Sequence, residues 1–366
     1  MHPEHVLNIA VCGVGAFGKN HLRVYSELQR QGARIAVVAV IDSNPEQAAP
    51  LVAAAAPGTP VFSSLEEYFA SARQALHAAS VCVPTSAHAV VASTLLKAGV
   101  DALVEKPITT TLSEADTLIS LAHQHGRILQ VGHLERFNPA VVAMQERVRS
   151  PMFFEAHRLS LFAPRSLDVD VVLDLMIHDL DIVLSVVNSP VRELHAVGLP
   201  IVSATADIAS VRVEFESGCV ANFTASRVST ERVRKLRLFQ PHQYISVDYA
   251  RQDLLVIAVD RTDPTAPTAP AYPANAQARA ALQAHSPLPL GLTLSKPAVT
   301  PGEPLRREIE SFLQSVRHRT PPAVTGKQAR DALALALDIY DAMAAHRERA
   351  GLNQHQPSSL SRSTNC

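Results

Sequence analysis

Val6-Leu-Asn-Ile-Ala-Val-Cys12-Gly13-Val-Gly15-Ala16-Phe17-Gly18-Lys19 is an apolar run of strand length that breaks into three spaced glycines and continues as a helical pattern from Lys19 to Leu28. Strand, glycine turn and helix in that order form the opening of a dinucleotide-binding βαβ unit. The first glycine makes the turn tight, the second lets backbone approach a pyrophosphate, the third lets helix and strand pack closely, and the helix amino terminus faces the anion. The next apolar run, Arg34–Ile41, ends at Asp42, at the separation expected of an acid that bonds the adenosine ribose. A carboxylate there repels a 2′-phosphate, so the expected cofactor is NAD, held by Gly13, Gly15, Ala16, Phe17, Gly18 and Asp42.

Outward from this unit, short apolar runs at Pro60–Phe62, Ser80–Val83, Ala102–Val104 and Ile128–Val131 alternate with helical patterns. That alternation predicts an α/β fold, with a doubly wound parallel sheet in an amino-terminal domain spanning 1–126. Ser63 or Ser64 ahead of Glu66 or Glu67, and Ser113 ahead of Asp116, mark helix starts; Gly99 and Gly126 mark stops. Two strand ends in this domain carry further candidate residues. Val83-Pro84-Thr85-Ser-Ala-His88 is placed to line the nicotinamide side of the pocket. Asp101-Ala-Leu-Val-Glu105-Lys106-Pro107 puts a lysine at a carboxyl strand end, where open α/β sheets bind ligands, and Pro107 restricts the residue before it.

Past about residue 150 the pattern changes. A long apolar helix, Val171 to Val187, carries Asp174, His178 and Asp181 at helical spacing on one face. Ionisable groups on an apolar helix cost desolvation unless paired or used. Three readings fit Asp174 and His178: metal ligation, an imidazole held as general base, or a partly buried histidine satisfied by its neighbour. Strand-like runs then follow in succession, with Val211–Glu216 and Cys219–Arg227 read as a hairpin closed by a two-residue Ser217-Gly218 turn, and further runs at Lys235–Phe239, Tyr244–Tyr249 and Leu254–Val259. They predict a second α/β domain, 127–350, with an open, mainly antiparallel mixed sheet. Prolines recurring from 264 to 304 predict an irregular loop, and 351–366 a flexible tail.

Composition narrows the function. A chain of 366 residues, 47% hydrophobic, has enough apolar material for two cores, and a net charge of −1 draws neither a nucleic acid polymer nor an anionic membrane. The four cysteines have no paired spacing, no stretch offers a membrane span, and the amino terminus lacks a signal pattern, so the expectation is a cytoplasmic protein with reduced thiols and no metal.

Gly13-x-Gly15-x-x-Gly18, Pro84-x-x-x-His88, Glu105-Lys106-Pro107 and Asp174-x-x-x-His178-x-x-Asp181 occur in the order and approximate spacing of the Gfo/Idh/MocA oxidoreductases. This resemblance, over roughly residues 5 to 260, implies a Rossmann domain, an α/β domain whose open sheet makes a homo-oligomer (dimer or tetramer), and an active site between them. It implies that Lys106, Asp174 and His178 surround a sugar hydroxyl as catalytic residues, that Glu105 belongs to the cofactor-side motif, and that the Lys106–Pro107 bond is open to the cis form. A narrower likeness, at Gly132-His133-Leu-Glu-Arg136-Phe137-Asn138-Pro139, at Met176–Asp181, and at Arg234–Gln240 with Tyr244–Tyr249, resembles the branch that oxidises the 3-hydroxyl of UDP-N-acetylglucosamine for the 3-amino sugars of lipid A or surface glycans. Arg136, Asn138, Arg165 and Arg227 are the expected substrate-binding residues, the arginines because a diphosphate takes charge-assisted hydrogen bonds. Two other readings stand beside this one: a dehydrogenase of free inositols or sugars, and a non-catalytic NAD-sensing regulator.

Overall fold

A computed structural model describes residues 5–71, 74–162, 170–259 and 292–352. Most of the proline-rich 262–304 segment, most of the 351–366 tail, and Arg165 lie outside the described residues. The chain forms two compact units, one holding the residues up to Phe137 together with Gly302–Leu335, the other Asn138–Pro301 with the residues from Ala336 onward.

The first unit is built on six parallel strands, β1 (Leu7–Cys12), β2 (Ile35–Ile41), β3 (Val61–Phe62), β4 (Ala78–Val81), β5 (Asp101–Glu105) and β6 (Leu129–Gly132), in the spatial order β3-β2-β1-β4-β5-β6. This is the doubly wound arrangement, with its switch point between β1 and β4, where ligands bind beyond the carboxyl strand ends. The intervening helices are α1 (Gly18–Arg30), α2 (Pro45–Ala55), α3 (Leu65–Ser71), α4 (Thr85–Lys97) and α5 (Leu112–Gln124). Side chains fix the starts of α2 and α3: Asn44 accepts from the Gln47 N–H at 3.2 Å, and Ser64 from the Glu67 N–H at 3.2 Å. Helix α5 begins earlier than Ser113 and Asp116 predict, because Thr111 and Glu114 form a reciprocal capping box.

The sequence reading assigns 303–317 to the second domain, but in the structure this helix belongs to the first core. Leu305, Ile309, Phe312, Leu313 and Val316 pack with Leu7, Leu22, Tyr25 and Leu28 of the parallel-sheet unit. Helical periodicity reveals that a helix has an apolar face; it does not reveal which core that face meets.

The second unit contains α6 (Pro139–Gln145), β7 (Phe153–Leu161), α7 (Ile177–Val187), β8 (Val191–Leu199), β9 (Ile208–Phe215), β10 (Val220–Ser229), β11 (Val233–Gln240), β12 (Gln243–Asp248), β13 (Asp253–Val259) and β14 (Leu292–Ser295). Its eight strands lie in the order β14-β13-β12-β11-β7-β10-β9-β8; β10 and β7 pair in parallel and every other neighbouring pair is antiparallel. Alternation along the strands sets one buried face, with Phe154, Ala156, Val211, Val213, Ala221, Phe223, Leu236 and Leu238 all at 2% exposure or less. The β9–β10 turn is longer than a two-residue loop: Phe215 and Cys219 close it, and Gly218 takes φ +83°. That left-handed residue is what a three-residue hairpin loop demands. After α8 (Pro304–His318) the described chain ends with α9 (Gly326–Arg349). No helix among the described residues is long and apolar enough to cross a membrane.

Candidate active site

The three glycines perform separable tasks. Gly13 has φ +82°, and a Cβ there would lie 2.9 Å from the Cys82 carbonyl oxygen; a Cβ on Gly18 would collide with the Gly13 carbonyl. Gly15 has nothing within 4 Å of its missing Cβ, and Gly15, Ala16 and Phe17 are exposed. No side chain caps the start of α1. The loop therefore offers open backbone and an uncapped helix amino terminus to an anion, which fits a dinucleotide pyrophosphate. Asp42, at the end of β2, accepts from the Val14 N–H at 2.9 Å and from the Asn44 N–H at 3.0 Å. Its half-buried carboxylate is thus oriented at the rim of the same loop.

Pro84 and Thr85 begin α4, following β4 with Val83 half-buried between them and the strand. His88, 1% exposed, is wedged between two carbonyls, with Nδ1 2.9 Å from Pro107 O and Nε2 2.9 Å from Val83 O. Carbonyls only accept, and a neutral imidazole has one N–H, so one of these contacts at a time is a hydrogen bond. Burial pushes the His88 pKa down from its usual 6.5, with the two carbonyls opposing. His88 thereby ties the β4 end to the Lys106–Pro107 turn. The Lys106–Pro107 peptide is cis, and Lys106 itself is half-buried.

In the second unit the helix with Asp174 and His178 is irregular at its start. Val172–Met176 forms a π-helical turn, closed by the Ile177 N–H to Val172 O, and α-helix begins only at Ile177. The wider turn changes the regular stacking expected of Asp174 and His178; π turns are rare and concentrate at functional sites. Asp170 anchors it, accepting from the N–H groups of Val172 at 2.7 Å and Ala206 at 3.1 Å. Asp174 and His178 are half-buried, whereas Asp181 is 2% exposed.

Two residues that hold this helix escape the sequence reading. Asp179, next to His178, receives both Arg158 Nε at 2.8 Å and Arg158 Nη2 at 3.1 Å, and the guanidinium lies over the Tyr249 ring at 4.9 Å. Both side chains are 3% exposed, so this is a buried, bidentate ion pair joining α7 to β7. The signal was available: Arg158 continues the inward parity of Phe154 and Ala156, and an arginine in that phase requires a partner.

The expected substrate-binding residues divide. Asn138 is 2% exposed and its amide is engaged at both ends, Oδ1 accepting from the Ala140 N–H at 3.1 Å as a helix cap and Nδ2 donating to Tyr249 O at 3.0 Å. Arg227 is 6% exposed, with Nε 3.7 Å from the Asp207 carboxylate. Arg136 is half-buried on the short 3-10 turn Leu134–Phe137 after β6. Burial raises the thiol pKa of Cys12 to about 12 and of Cys219 to about 11, so these cysteines remain protonated.

Comparison with known proteins follows the same division. Residues 7–133 match the family described as the oxidoreductase family with NAD-binding Rossmann fold, and residues 145–241 match the GFO/IDH/MocA C-terminal domain. The chain is 33% identical over 345 residues to UDP-N-acetylglucosamine 3-dehydrogenase of Acidithiobacillus ferrooxidans, covering 94% of this chain and 99% of that one. The solved structure of that dehydrogenase superposes with a TM-score of 0.78 over 93% of this chain and 98% of that one, at 31% identity. An inositol 2-dehydrogenase of Cereibacter sphaeroides is 31% identical over 182 residues, 48% of this chain and 52% of that one.

Proposed function

Because the chain belongs to the Gfo/Idh/MocA family of NAD-dependent oxidoreductases, we propose that it oxidises the 3-hydroxyl of UDP-N-acetylglucosamine, giving the 3-keto nucleotide sugar. The observation that carries this reading is the likeness to the Acidithiobacillus dehydrogenase, 33% identical over nearly the full length of both chains, whereas the inositol 2-dehydrogenase of Cereibacter sphaeroides reaches a comparable identity over only about half of either chain.

NAD+ supplies the hydride acceptor when bound. The chain's own groups hold it and manage the proton. Backbone from Gly13 to Gly18 would receive the pyrophosphate, and Asp42 would accept from the ribose hydroxyls. Val83, Pro84 and Thr85 would border the nicotinamide, with His88 holding that border through Val83 O and Pro107 O and Glu105 preceding the lysine on the neighbouring strand. His178 takes the proton of the sugar hydroxyl, an imidazole being the side chain best matched to that task near neutral pH. Lys106 stabilises the developing alkoxide charge, and Asp174 orients His178 or bonds a neighbouring hydroxyl. We assign Arg136 to the substrate diphosphate and read the contacts of Asn138 with Ala140 and Tyr249, and of Arg227 with Asp207, as structural roles for those two.

The same reading places the protein in the cytoplasm, feeding 3-amino-sugar synthesis for lipid A or surface glycans, as a homo-oligomer through the second sheet. Phe153, Phe239 and Tyr244 support the last point, their rings 5.5 and 5.0 Å apart and Phe239 36% exposed. A panel of nucleotide sugars and free inositols, followed by NADH absorbance, tests the substrate. UDP-N-acetylglucosamine is expected to give NADH and the inositols little; the reverse order overturns the assignment. His178→Ala and Lys106→Ala should each lower turnover about 100-fold or more while still binding NADH. Near-normal turnover in either variant removes that residue's role.

A further inference from the structure

Lys106 is the end of a buried polar chain that starts on the cofactor-loop helix. His21, on α1 just after Gly18, is fully buried. Its Nε2 lies 2.9 Å from Glu105 Oε1, and its Nδ1 lies 3.1 Å from Ser80 Oγ, which in turn is 2.9 Å from the hydroxyl of the buried Tyr25. Glu105 Oε2 accepts from the Lys106 N–H at 3.3 Å.

Donor and acceptor counting shows one assignment that closes the chain without a gap. With Glu105 ionised, Nε2–H of a neutral His21 donates to it, Nδ1 accepts from the Ser80 hydroxyl, and Ser80 Oγ accepts from the Tyr25 hydroxyl. Every member is then satisfied, which is the condition for a buried polar network to rigidify its surroundings. Room for the carboxylate comes from the neighbouring strand: Gly132 pairs with Glu105, and a Cβ on it would lie 2.8 Å from Glu105 Oε1. At the other end, the Phe17 ring of the glycine loop stands edge-on to His21, with centroids 5.5 Å apart.

Among the described residues, His21, Glu105 and Glu308 form the one group of buried histidine and carboxylates close enough to surround a metal ion. Both ring nitrogens of His21 are already engaged, by Glu105 and by Ser80, so within this group the imidazole belongs to the hydrogen-bonded chain. We propose that His21 and Glu105 are positioning residues for Lys106: a buried brace that ties the pyrophosphate-binding helix to the lysine turn and fixes the lysine where it acts. The inference rests on the assignment of Lys106 to the reaction described above.

The test separates positioning from folding and from the substrate assignment. His21→Leu removes the donor to Glu105, and His21→Gln keeps an N–H in its place. The Leu variant should lose about 10- to 100-fold in kcat with UDP-N-acetylglucosamine, while the Kd for NADH, read by its fluorescence, shifts less than about threefold. The Gln variant should recover most of the loss. Ser80→Ala, which unties only the far nitrogen, should show a smaller loss in kcat, on the order of threefold. In parallel, trace acylation of the cofactor-free protein measures the reactivity of Lys106 relative to Lys327, whose side chain is 77% exposed. That ratio should change in the Leu variant and return toward wild type in the Gln variant. If the wild type ignores UDP-N-acetylglucosamine, the substrate reading fails while the acylation ratio still decides the brace. Wild-type kcat and Lys106 reactivity in His21→Leu, or a loss confined to NADH affinity, would overturn it.

Discussion

The two units secure their candidate catalytic segments by opposite means. In the parallel-sheet unit, Lys106 is backed by a hydrogen-bonded chain, Tyr25 to Ser80 to His21 to Glu105, in which only the last member need carry charge. In the second unit, the His178 helix is fastened by a fully charged pair, Arg158 and Asp179, at 3% exposure. The difference bears on what a substitution does. Removing a hydroxyl from the first chain leaves the remaining members able to re-pair, so the effect should fall on geometry and rate. Removing one ion from the second leaves an uncompensated buried charge, so the effect should fall on stability.

The largest expected effect breaks the charged side of the comparison. Asp179→Ala strands the Arg158 guanidinium beneath Tyr249 and should cost about 3–5 kcal/mol, read as a lower urea midpoint or insolubility. Replacing both partners by apolar residues, Arg158→Met with Asp179→Leu, should restore much of that loss. A double variant no more stable than Asp179→Ala would show that the pair is not the fastening.

His88 sharpens the polar side of the comparison through pH. Its pKa in the folded protein lies below the 6.5 of the unfolded chain, because burial disfavours the imidazolium. Its neutral form therefore contributes stability that is fully present above pH 6.5 and is lost as pH falls through the folded value. The urea midpoint of the wild type should fall more steeply on acidification than that of His88→Gln. The difference in slope is at most about 1.4 kcal/mol per pH unit, one proton's worth. Parallel curves would remove His88 from the account.

The smallest effect concerns Asn138, whose amide joins a helix cap to the Tyr249 carbonyl. Asn138→Ala should cost about 1 kcal/mol in stability and leave the KM for the nucleotide sugar within about twofold. A large rise in KM with unchanged stability would return Asn138 to the substrate site.

Much of the first unit is legible in the sequence because its signals are local. Glycine spacing, a strand before it, a helix after it and an acid at the end of the next strand all lie within Val6–Asp42, and the strands fall within a few residues of their expected positions. In the second sheet, alternation marks β9 to β13, while β7, β8 and β14 lie outside the expected strands. What alternation and spacing do not carry is pairing across distance. His21 meets Glu105 84 positions later and alone reads as an ordinary polar side chain; the parity of β7 shows that Arg158 needs a partner but not that the partner is Asp179, on a separate element. The π turn at Val172–Met176 is equally hidden, since a segment apolar on nearly every side shows no phase for an extra residue to shift. Asn138 and Arg227 show how one residue type serves two uses: groups suited to a substrate are also suited to a helix cap and to a buried carboxylate, and spacing alone does not distinguish them.

The central claim is that this chain removes hydride from C3 of a nucleotide-linked N-acetylhexosamine. UDP-N-acetylglucosamine carrying deuterium at C3, mixed with the protein and NAD+, tests it most directly. The account predicts deuterated NADH and a 3-keto sugar product that has lost the label. Unlabelled NADH with deuterium retained on the sugar, or NADH formed from free inositols and not from the nucleotide sugar, would contradict it.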